Sequence, residues 1–575
     1  MKRAHRMPFG AELAGGGASF RLWAPACESV ELLLARERSV PMHRTAEGWH
    51  ATELGDVVAG TAYSFRVDDG DPVPDPASRS NPWDPQGPSV LVDPGAHEWR
   101  DGDWRGRPWN EAVVYELHVG TFTPEGTFAA AIGKLDHLAR VGVTALEIMP
   151  VADFPGSRNW GYDGVLPYAP DASYGTPEDF KRLIEEAHRR GLMVLLDVVY
   201  NHFGPEGNQL HRYAPQFFTE AHQTPWGAAI NFDGKHSGVV RDFFIHNALY
   251  WVIEFHLDGL RLDAVHAIHD DSPTHIVREI AQALGDGPGR DRHVHLVLEN
   301  ERNDPALLDR RATHATAQWN DPWHHCAHVL CSGETSGYYG HFTRDTARLL
   351  ARSFAQGFSE SLPAIAFMPF LQNHDQVGNR AMGERLALLA PPEALRLAQA
   401  ALLLSPQVPL LFMGEEIGAK TPFLYFCDFH GDLAAAVREG RRKEFAAFPE
   451  FAAEEARSKI PDPNSADAFL ASKIDWDNAN AGCLARFLEL LALRREHIVP
   501  RLDDTPRVAQ FDAVAPGAVL VDWTLADGAR LHLRANFSAE AAPIESAPGT
   551  ILHAEGSSNG GLGPWSGTWT LEAAR

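Results

Sequence analysis

The sequence predicts a multidomain α/β protein in which a (β/α)8 barrel is flanked by an N-terminal and a C-terminal β-sandwich. Its 575 residues exceed what a single hydrophobic core usually holds. From residue 111 onward, strand-like runs alternate with amphipathic helical segments, which is typical of a parallel sheet. Both ends of the chain instead show short strands of alternating polarity, so we expect a β-domain at each end.

Eight apolar runs are candidates for the barrel strands. They are Val113–Val119, Ala145–Pro150, Met193–Val199, Gly259–Asp263, His295–Glu299, Ala315–Trp319, Pro369–Asn373 and Pro409–Met413. Helical patterns lie between them, at Thr127–Arg140, Pro177–Arg190, Val239–Phe255 and Pro392–Leu404. Eight such units predict a closed barrel.

The predicted domain boundaries follow from composition. Residues 1–95 form the N-terminal, carbohydrate-binding-like sandwich and end in a proline-rich linker, residues 96–498 form the barrel, and residues 499–575 form the C-terminal β-domain. The stretches 203–238 and 414–480 show no clear strand. We expect both to be loops and short helices over the barrel mouth.

Charge and cysteine content restrict the class of protein. A net charge of -25 argues against nucleic acid as a partner. The five cysteines are scattered without a CxxC pair, so a disulfide framework is not expected. No apolar run approaches the length of a membrane span, and no secretory leader is evident, so the sequence favours a cytoplasmic location without a membrane partner.

Three acidic residues stand at the ends of separate predicted strands, namely Asp263, Glu299 and Asp375. Parallel barrels present their reactive side chains at the C-terminal ends of the strands. Cleavage of a glycosidic bond needs one carboxyl group as an acid and another as a nucleophile or base. The three carboxyl groups therefore predict glycoside chemistry.

Arg261 lies two residues before Asp263, so the two side chains share one face of their strand. A guanidinium at this position would keep Asp263 ionised, as a nucleophile requires. Glu299 follows the apolar pair Val297 and Leu298, a setting that favours the protonated acid. A structural Asp–Arg pair and a loop-capping role for Asp375 are the alternative readings.

Four segments resemble the motif regions of the α-amylase superfamily. They are DVVYNH from Asp197, GLRLDAVH from Gly259, Glu299, and Asn373-His374-Asp375. This resemblance implies a barrel in which Asp263 is the nucleophile, Glu299 the general acid/base and Asp375 the stabiliser of the transition state. It also implies that substrate is bound by Tyr162, His202, Arg261, His266, Asn373 and His374.

Further stretches are similar to the maltooligosyltrehalose trehalohydrolase family. These include DVVYNHFGPEGN from Asp197, Gln318–Asp321 with His324 and His325, and Met413–Glu416. The resemblance implies retaining hydrolysis of the α-1,4 bond next to a terminal trehalose unit, in a pathway with an enzyme that forms maltooligosyltrehalose. We place the trehalose subsites at Asn320, Asp321, His324, His325, Glu415 and Glu416.

Two other functions fit the same motifs. A glycogen branching or debranching enzyme shares the N-terminal module and the barrel, and a non-catalytic glycan-binding protein could use the same fold. No cofactor is predicted. The sequence also predicts no metal site, because the histidines around Cys326 have no second ligand pair at zinc spacing.

Overall fold

The computed structural model describes residues 4–14, 16–34, 38–308, 315–507, 509–557 and 561–574. Within these ranges the N-terminal sandwich, the barrel and the C-terminal β-domain are all present, which confirms the predicted fold class. The exact boundaries at residues 95 and 498 stay predictions.

The N-terminal domain consists of two antiparallel sheets. One contains Gly10–Ala14, Gly17–Trp23, His43–Arg44 and Trp49–Leu54, and the other contains Val30–Leu34, Arg38–Pro41, Ala62–Val67, Pro72–Val73 and Ser89–Val90. The sheets share a core in which Phe20 of the first meets Tyr63 of the second, with ring centroids 5.1 Å apart. Alternating buried side chains along the strands produce this packing.

Eight parallel strands form the barrel. In chain order they are Val114–Leu117, Ala145–Ile148, Met193–Val198, Gly259–Leu262, His295–Leu298, Ala317–Trp319, Phe367–Met368 and Leu410–Phe412. The last strand pairs with the first, and a parallel bridge between Phe370 and Leu410 closes the ring. The strand ends that carry the acidic motifs therefore meet at one mouth.

Helices surround the barrel and fill the long connections. Those described are Val119–Phe122, Phe128–Ala131, Leu135–Val141, Pro177–His188, Leu210–Tyr213, Ser237–Glu254, Ile276–Asp286, Asp321–Ser332, Thr346–Gln356, His374–Gly378, Leu386–Leu389, Pro392–Leu403, Gly431–Glu444, Glu454–Arg457, Ala466–Ala471 and Ala481–Leu493. Pro177–His188 shows why such segments are helical, because Thr176 and Asp179 form a capping box and Pro177 occupies the first turn.

The seventh strand lies earlier than predicted. The sequence places it at Pro369–Asn373, whereas the structure has it at Phe367–Met368. Pro369 has no N–H to donate to the ladder, and Asn373 already caps the helix His374–Gly378 by accepting from the Gln376 N–H at 2.8 Å. The predicted span was therefore largely the turn into that helix.

The expectation of no strand in residues 203–238 was wrong. Phe218–Thr224 and Gly227–Ile230 form an antiparallel hairpin over the barrel mouth. Its first strand, FTEAHQT, is polar and largely exposed or half-buried, so it lacks the apolar alternation that reveals a strand in sequence.

The C-terminal domain is built on five antiparallel strands, Gln510–Ala515, Ala518–Thr524, Arg530–Asn536, Thr550–Glu555 and Ser566–Glu572. One face meets the barrel helix Thr346–Gln356, where the Trp523 indole donates to the Phe354 carbonyl at 3.1 Å. On the opposite face Ala518 packs with Ala542, Ile544 and Leu562. Both faces of the sheet thus carry packed side chains.

Candidate active site

The three predicted carboxylates come together at the barrel mouth. Asp263 follows the fourth strand, Glu299 follows the fifth, and Asp375 lies in the first turn of the helix after the seventh. Asp263 and Glu299 both contact the side chain of Arg261, which is fully buried. One guanidinium thus joins the two carboxyl groups that the chemistry needs.

Arg261 holds its partners with short, charge-assisted hydrogen bonds. Its Nη1 donates to Asp263 Oδ1 at 2.8 Å and to Asp197 Oδ2 at 2.6 Å, and its Nη2 donates to Glu299 Oε2 at 2.8 Å. The guanidinium carbon lies 4.1 Å from the centroid of the Trp319 ring. The Trp319 ring against its face and the carboxylates around its nitrogens hold the guanidinium in one orientation.

Backbone conformation contributes a further donor to Glu299. Ala264, directly after Asp263, has φ of 40°, in the left-handed region that residues with a Cβ rarely adopt. In this conformation its N–H donates to Glu299 Oε2 at 2.9 Å. Because Oε2 accepts from both Ala264 and Arg261, a proton on Glu299 would reside on Oε1.

The surroundings of Asp263 and Glu299 shift the pKa values of these two carboxyl groups in opposite directions. Burial acts to raise the pKa of Asp263, but Arg261 and the Asn201 amide outweigh it and hold the pKa below its ordinary value. Burial raises the pKa of Glu299 well above its ordinary value, and the nearby Asp263 and Asp375 add to this effect. The pair therefore favours a charged Asp263 beside a protonated Glu299.

Asp375 lies beside a buried histidine, His374. His374 Nδ1 lies 2.5 Å from Glu116 Oε1, and its Nε2 lies 3.4 Å from Asp375 Oδ1. Burial opposes ionisation of His374, but Asp375 and Glu116 overcome it and raise its pKa to about 10. Tyr162 stacks on this imidazolium with ring centroids 5.0 Å apart.

His202 lies on the other side of Asp263. Its neighbour Asn201 donates to Asp263 Oδ2 at 2.8 Å, which fixes the second carboxylate oxygen. Trp226, at the tip of the hairpin, stacks on His202 with centroids 4.3 Å apart and rings almost parallel, and half of its surface is exposed. The hairpin thus brings a flat apolar face to the mouth of the site.

The side chains after the sixth strand divide into two groups. Asn320 is fully buried and bonded to Gln407 and Ser353, so it is a structural residue that also caps the helix Asp321–Ser332. His324 is buried as well and stacks on Phe370. We therefore do not retain Asn320 and His324 as substrate contacts.

Asp321 and His325 remain near the mouth. Burial raises the pKa of Asp321 to about 7, and the neighbouring Asp375 adds to the shift. His325 lies edge-on to the exposed Tyr338, with centroids 5.2 Å apart. The Tyr338 hydroxyl donates to Gln376, the residue after Asp375, at 3.0 Å. These groups form a wall beside Asp375.

The positions of Glu415 and Glu416 do not favour the subsite role that the sequence analysis assigns to them. Glu416 is fully buried, accepts from the Tyr115 hydroxyl and lies 3.0 Å from His137 of the outer helix Leu135–Val141. Tyr115 alternates with the inward-facing Glu116 on the first strand, so Glu416 lies outside the barrel. Glu415 accepts from the Phe412 N–H and is likewise buried.

The other two predicted contacts lie at the edge of the site. His266 is half-buried and contacts Glu301, whose backbone N–H donates to its Nδ1 at 3.3 Å. Asn373 is buried and caps the helix that carries Asp375. Asn373 thus positions the helix, while part of His266 stays accessible.

Sequence reasoning gave no role to several supporting residues that the structure brings into the site. Asp197 accepts from both Arg261 and the Tyr162 hydroxyl, and Glu116 orients His374. Glu116 was detectable as the single charged residue in the apolar first strand. Trp226 gave no such signal, because its hairpin was read as a loop.

One group of side chains within the described residues could hold a metal ion, namely His222, Asp233 and Asp271. His222 Nε2 lies 3.0 Å from Asp233 Oδ2, which also accepts from the Asp271 N–H at 3.0 Å. Hydrogen bonding within the group already accounts for its geometry. It ties the hairpin to the loop after the fourth strand.

Comparison with known proteins identifies the family of this chain. The family described as alpha amylase, catalytic domain, matches residues 96–248, carbohydrate-binding module 48 matches residues 8–94, and a domain of unknown function matches residues 506–569. The malto-oligosyltrehalose trehalohydrolase of Saccharolobus solfataricus is 41% identical over 85% of this chain and 87% of its own length. The chain belongs to the malto-oligosyltrehalose trehalohydrolase family.

Two further proteins are similar to this chain over most of its length. The malto-oligosyltrehalose trehalohydrolase of Deinococcus radiodurans is 42% identical over 84% of this chain and 82% of its own. The crystal structure of "Putative alpha Amylase from Salmonella typhimurium" is 45% identical and covers 99% of this chain and 100% of its own, with a TM-score of 0.94. The protein is a glycosidase. Among the described residues, none of the helices combines the length and apolar character needed to cross a bilayer.

Proposed function

We propose that this protein hydrolyses the α-1,4-glucosidic bond next to the terminal trehalose unit of maltooligosyltrehalose and releases trehalose and a maltooligosaccharide. The names of the family members support the substrate. The observation that carries the chemistry is the bridge of Arg261 between Asp263 and Glu299, which favours a charged nucleophile beside a protonated acid. A pure glycan-binding protein would not need this pairing.

The first step cleaves the glycosidic bond. Asp263 attacks the anomeric carbon of the maltooligosyl unit while Glu299 donates its proton to the departing O4 of trehalose. The bond to the trehalose oxygen breaks and an ester bond to Asp263 forms. Asp375 lies at the same mouth and stabilises the positive charge that develops on the ring.

The second step releases the maltooligosaccharide. Glu299, now ionised, takes a proton from water as the water oxygen attacks the same carbon and the ester bond to Asp263 breaks. Two inversions at one carbon give net retention of configuration. Glu299 is again protonated and Asp263 is again charged, so the site returns to its starting state.

Trp226 and Tyr162 supply stacking faces on the donor side of the site. Tyr162 lies on the His374 imidazole and Trp226 on that of His202. Flat aromatic faces favour contact with the apolar faces of glucose rings. We assign this side to the maltooligosyl chain and the wall of Asp321, His325 and Tyr338 to trehalose.

The assignment of the trehalose side predicts a specificity change. Replacing His325 or Asp321 by alanine should lower the ratio of kcat/KM for a trehalose-capped chain over a plain maltooligosaccharide by about tenfold, because one polar contact to the bent trehalose unit is lost. Chromatography of released trehalose and maltose measures the ratio.

His341→Ala is the matched control, because His341 is exposed in the same connection and contacts neither Asp375 nor His325. It should leave the ratio unchanged. If His325→Ala and Asp321→Ala slow both substrates by the same factor, these residues serve catalysis or folding and the trehalose subsites lie elsewhere.

We also propose that the protein acts in the cytoplasm, in sequence with an enzyme that converts the reducing end of a maltooligosaccharide into a trehalose unit. The chemistry of the substrate requires such a supplier. All five cysteines are free, which is typical of proteins in reducing compartments.

A further inference from the structure

Three aromatic side chains of the described residues leave about half of their surface exposed. They are Trp83 at 50%, Trp226 at 51% and Tyr338 at 48%. Trp226 and Tyr338 lie at the mouth of the candidate active site, whereas Trp83 belongs to the proline-rich segment at the end of the N-terminal domain. A single exposed aromatic residue can be ordinary surface, so the position of Trp83 decides its meaning.

The turn that carries Trp83 is docked on two connections of the barrel mouth. Asp84 Oδ1 accepts from the Gly156 N–H at 2.8 Å, and Gly156 lies in the connection after the second strand. Pro85 packs against Gly207 in the connection after the third strand, where a Cβ would lie 3.2 Å from the Pro85 Cβ. Trp83 therefore lies at the rim of the same mouth as the candidate catalytic carboxyl groups.

These two connections belong to the donor side of the site. The connection after the second strand carries Tyr162, and the connection after the third carries His202 and the hairpin with Trp226. The wall assigned to trehalose follows the sixth strand, which lies across the eight-stranded ring from the second. Trp83 is thus on the side of the mouth that is assigned to the maltooligosyl chain.

Local hydrogen bonds order the turn around Trp83. Its backbone N–H donates to Asn81 Oδ1 at 3.2 Å, and the Gly87 N–H donates to the Asp84 carbonyl at 2.7 Å. Gly87 allows the chain to pass close to Trp83, because a Cβ on Gly87 would lie 2.7 Å from the Trp83 Cβ. Pro82, directly before Trp83, restricts the backbone further. A turn that is ordered before binding adds little entropic cost when a ligand binds.

We propose that Trp83 forms a distal donor subsite, where its indole stacks on a glucose unit of the maltooligosyl chain beyond the units held beside Tyr162 and Trp226. The large flat face of the indole suits the apolar face of a sugar ring. Gln86 of the same turn is exposed and offers both a donor and an acceptor to sugar hydroxyl groups. The identity of the chain as a maltooligosyl unit rests on the proposed function.

Calorimetric titration of the full chain tests the proposal. The probes are maltoheptaose and maltotriose, and all variants carry Asp263→Asn so that turnover is suppressed. We expect Trp83→Ala to weaken the binding of maltoheptaose by about five- to tenfold, because one stacking contact is lost. Maltotriose should bind as before, because it is too short to reach from the donor units near Tyr162 to the turn.

Kinetics with Asp263 intact give a second readout. With a long trehalose-capped chain, Trp83→Ala should raise KM by about the same factor and leave kcat unchanged, since a contact far from the cleaved bond binds the ground state and the transition state equally. With the shortest capped chain, neither constant should change.

Two further variants serve as controls. Trp83→Phe keeps a flat ring and should retain most of the affinity for maltoheptaose. Val58→Ala shortens another exposed apolar side chain of the N-terminal domain, 69% exposed, and should leave binding unchanged.

Two outcomes overturn the proposal. Unchanged binding of maltoheptaose to Trp83→Ala would mean that the chain leaves the site along another path. Equal losses for maltoheptaose and maltotriose would mean that the turn supports the structure of the mouth and forms no subsite. A selective loss of maltoheptaose in a protein that releases no trehalose would support the subsite and reject only the proposed function.

Discussion

Replacing Asp263 with asparagine is expected to lower kcat by about 10⁴-fold or more, because an amide of the same shape cannot form the ester intermediate. The fold should persist. Arg261 would keep Asp197 and Glu299 as partners, and Asn201 would still find an acceptor in the backbone carbonyl of residue 263. Steady-state hydrolysis of a trehalose-capped chain, with circular dichroism to verify folding, measures the effect.

Asp304→Asn is the matched control for this change, since Asp304 is exposed and, among the described residues, accepts from the backbone N–H of Ala306. It should retain full turnover. Turnover of folded Asp263→Asn within tenfold of the unaltered protein would reject Asp263 as the nucleophile and leave it as a structural partner of Arg261.

Replacing Glu299 with glutamine is expected to lower kcat by about 10³-fold, within the range that a general acid contributes. The amide can still accept from Arg261 and the Ala264 N–H, so the geometry around Asp263 should hold. A substrate whose leaving group needs no protonation, such as a nitrophenyl maltooligoside, should lose much less in its bond-cleaving step. Equal losses on both substrates would contradict the role of Glu299 as the acid.

The dependence of activity on pH should distinguish the roles of Glu299 and Asp263. Glu299 must be protonated, and its raised pKa means that activity persists near neutrality and falls as the pH rises through that pKa. Asp263 must be ionised, and its lowered pKa means that activity falls only when the pH drops into strongly acidic conditions. In Glu299→Gln the alkaline fall assigned to Glu299 should disappear from kcat.

The sequence predicted the barrel, and it placed the three candidate catalytic carboxylates at one edge of it, because both depend on local patterns. Apolar runs ending in Asp263, Glu299 and Asp375 identify strand ends, and strand ends of a parallel barrel meet at one mouth. The contacts that support these carboxyl groups were harder to predict from the sequence. The pairing of Glu116 with His374 joins residues 258 positions apart, and no local pattern reveals it.

The predicted subsite residues show what a sequence pattern leaves open. Asn320, His324, Glu415 and Glu416 follow strand ends, just as the catalytic residues do. Their side chains turn into the protein, where they form hydrogen bonds with buried backbone and side-chain groups. Direction of a side chain after a strand end depends on the turn that follows, which the residue pattern does not specify. The hairpin with Trp226 was missed for the related reason that its polar strand has no apolar face.

Product analysis of the unaltered protein tests the central claim most directly. Equal concentrations of a trehalose-capped maltooligosaccharide and of the plain chain of the same length are incubated separately, and the products are separated by chromatography. We expect trehalose and a shortened maltooligosaccharide from the capped chain, with a kcat/KM well above that for the plain chain. Formation of new α-1,6 branches, cleavage of existing branches, or equal rates with maltose as the main small product from the plain chain would contradict a trehalose-releasing hydrolase.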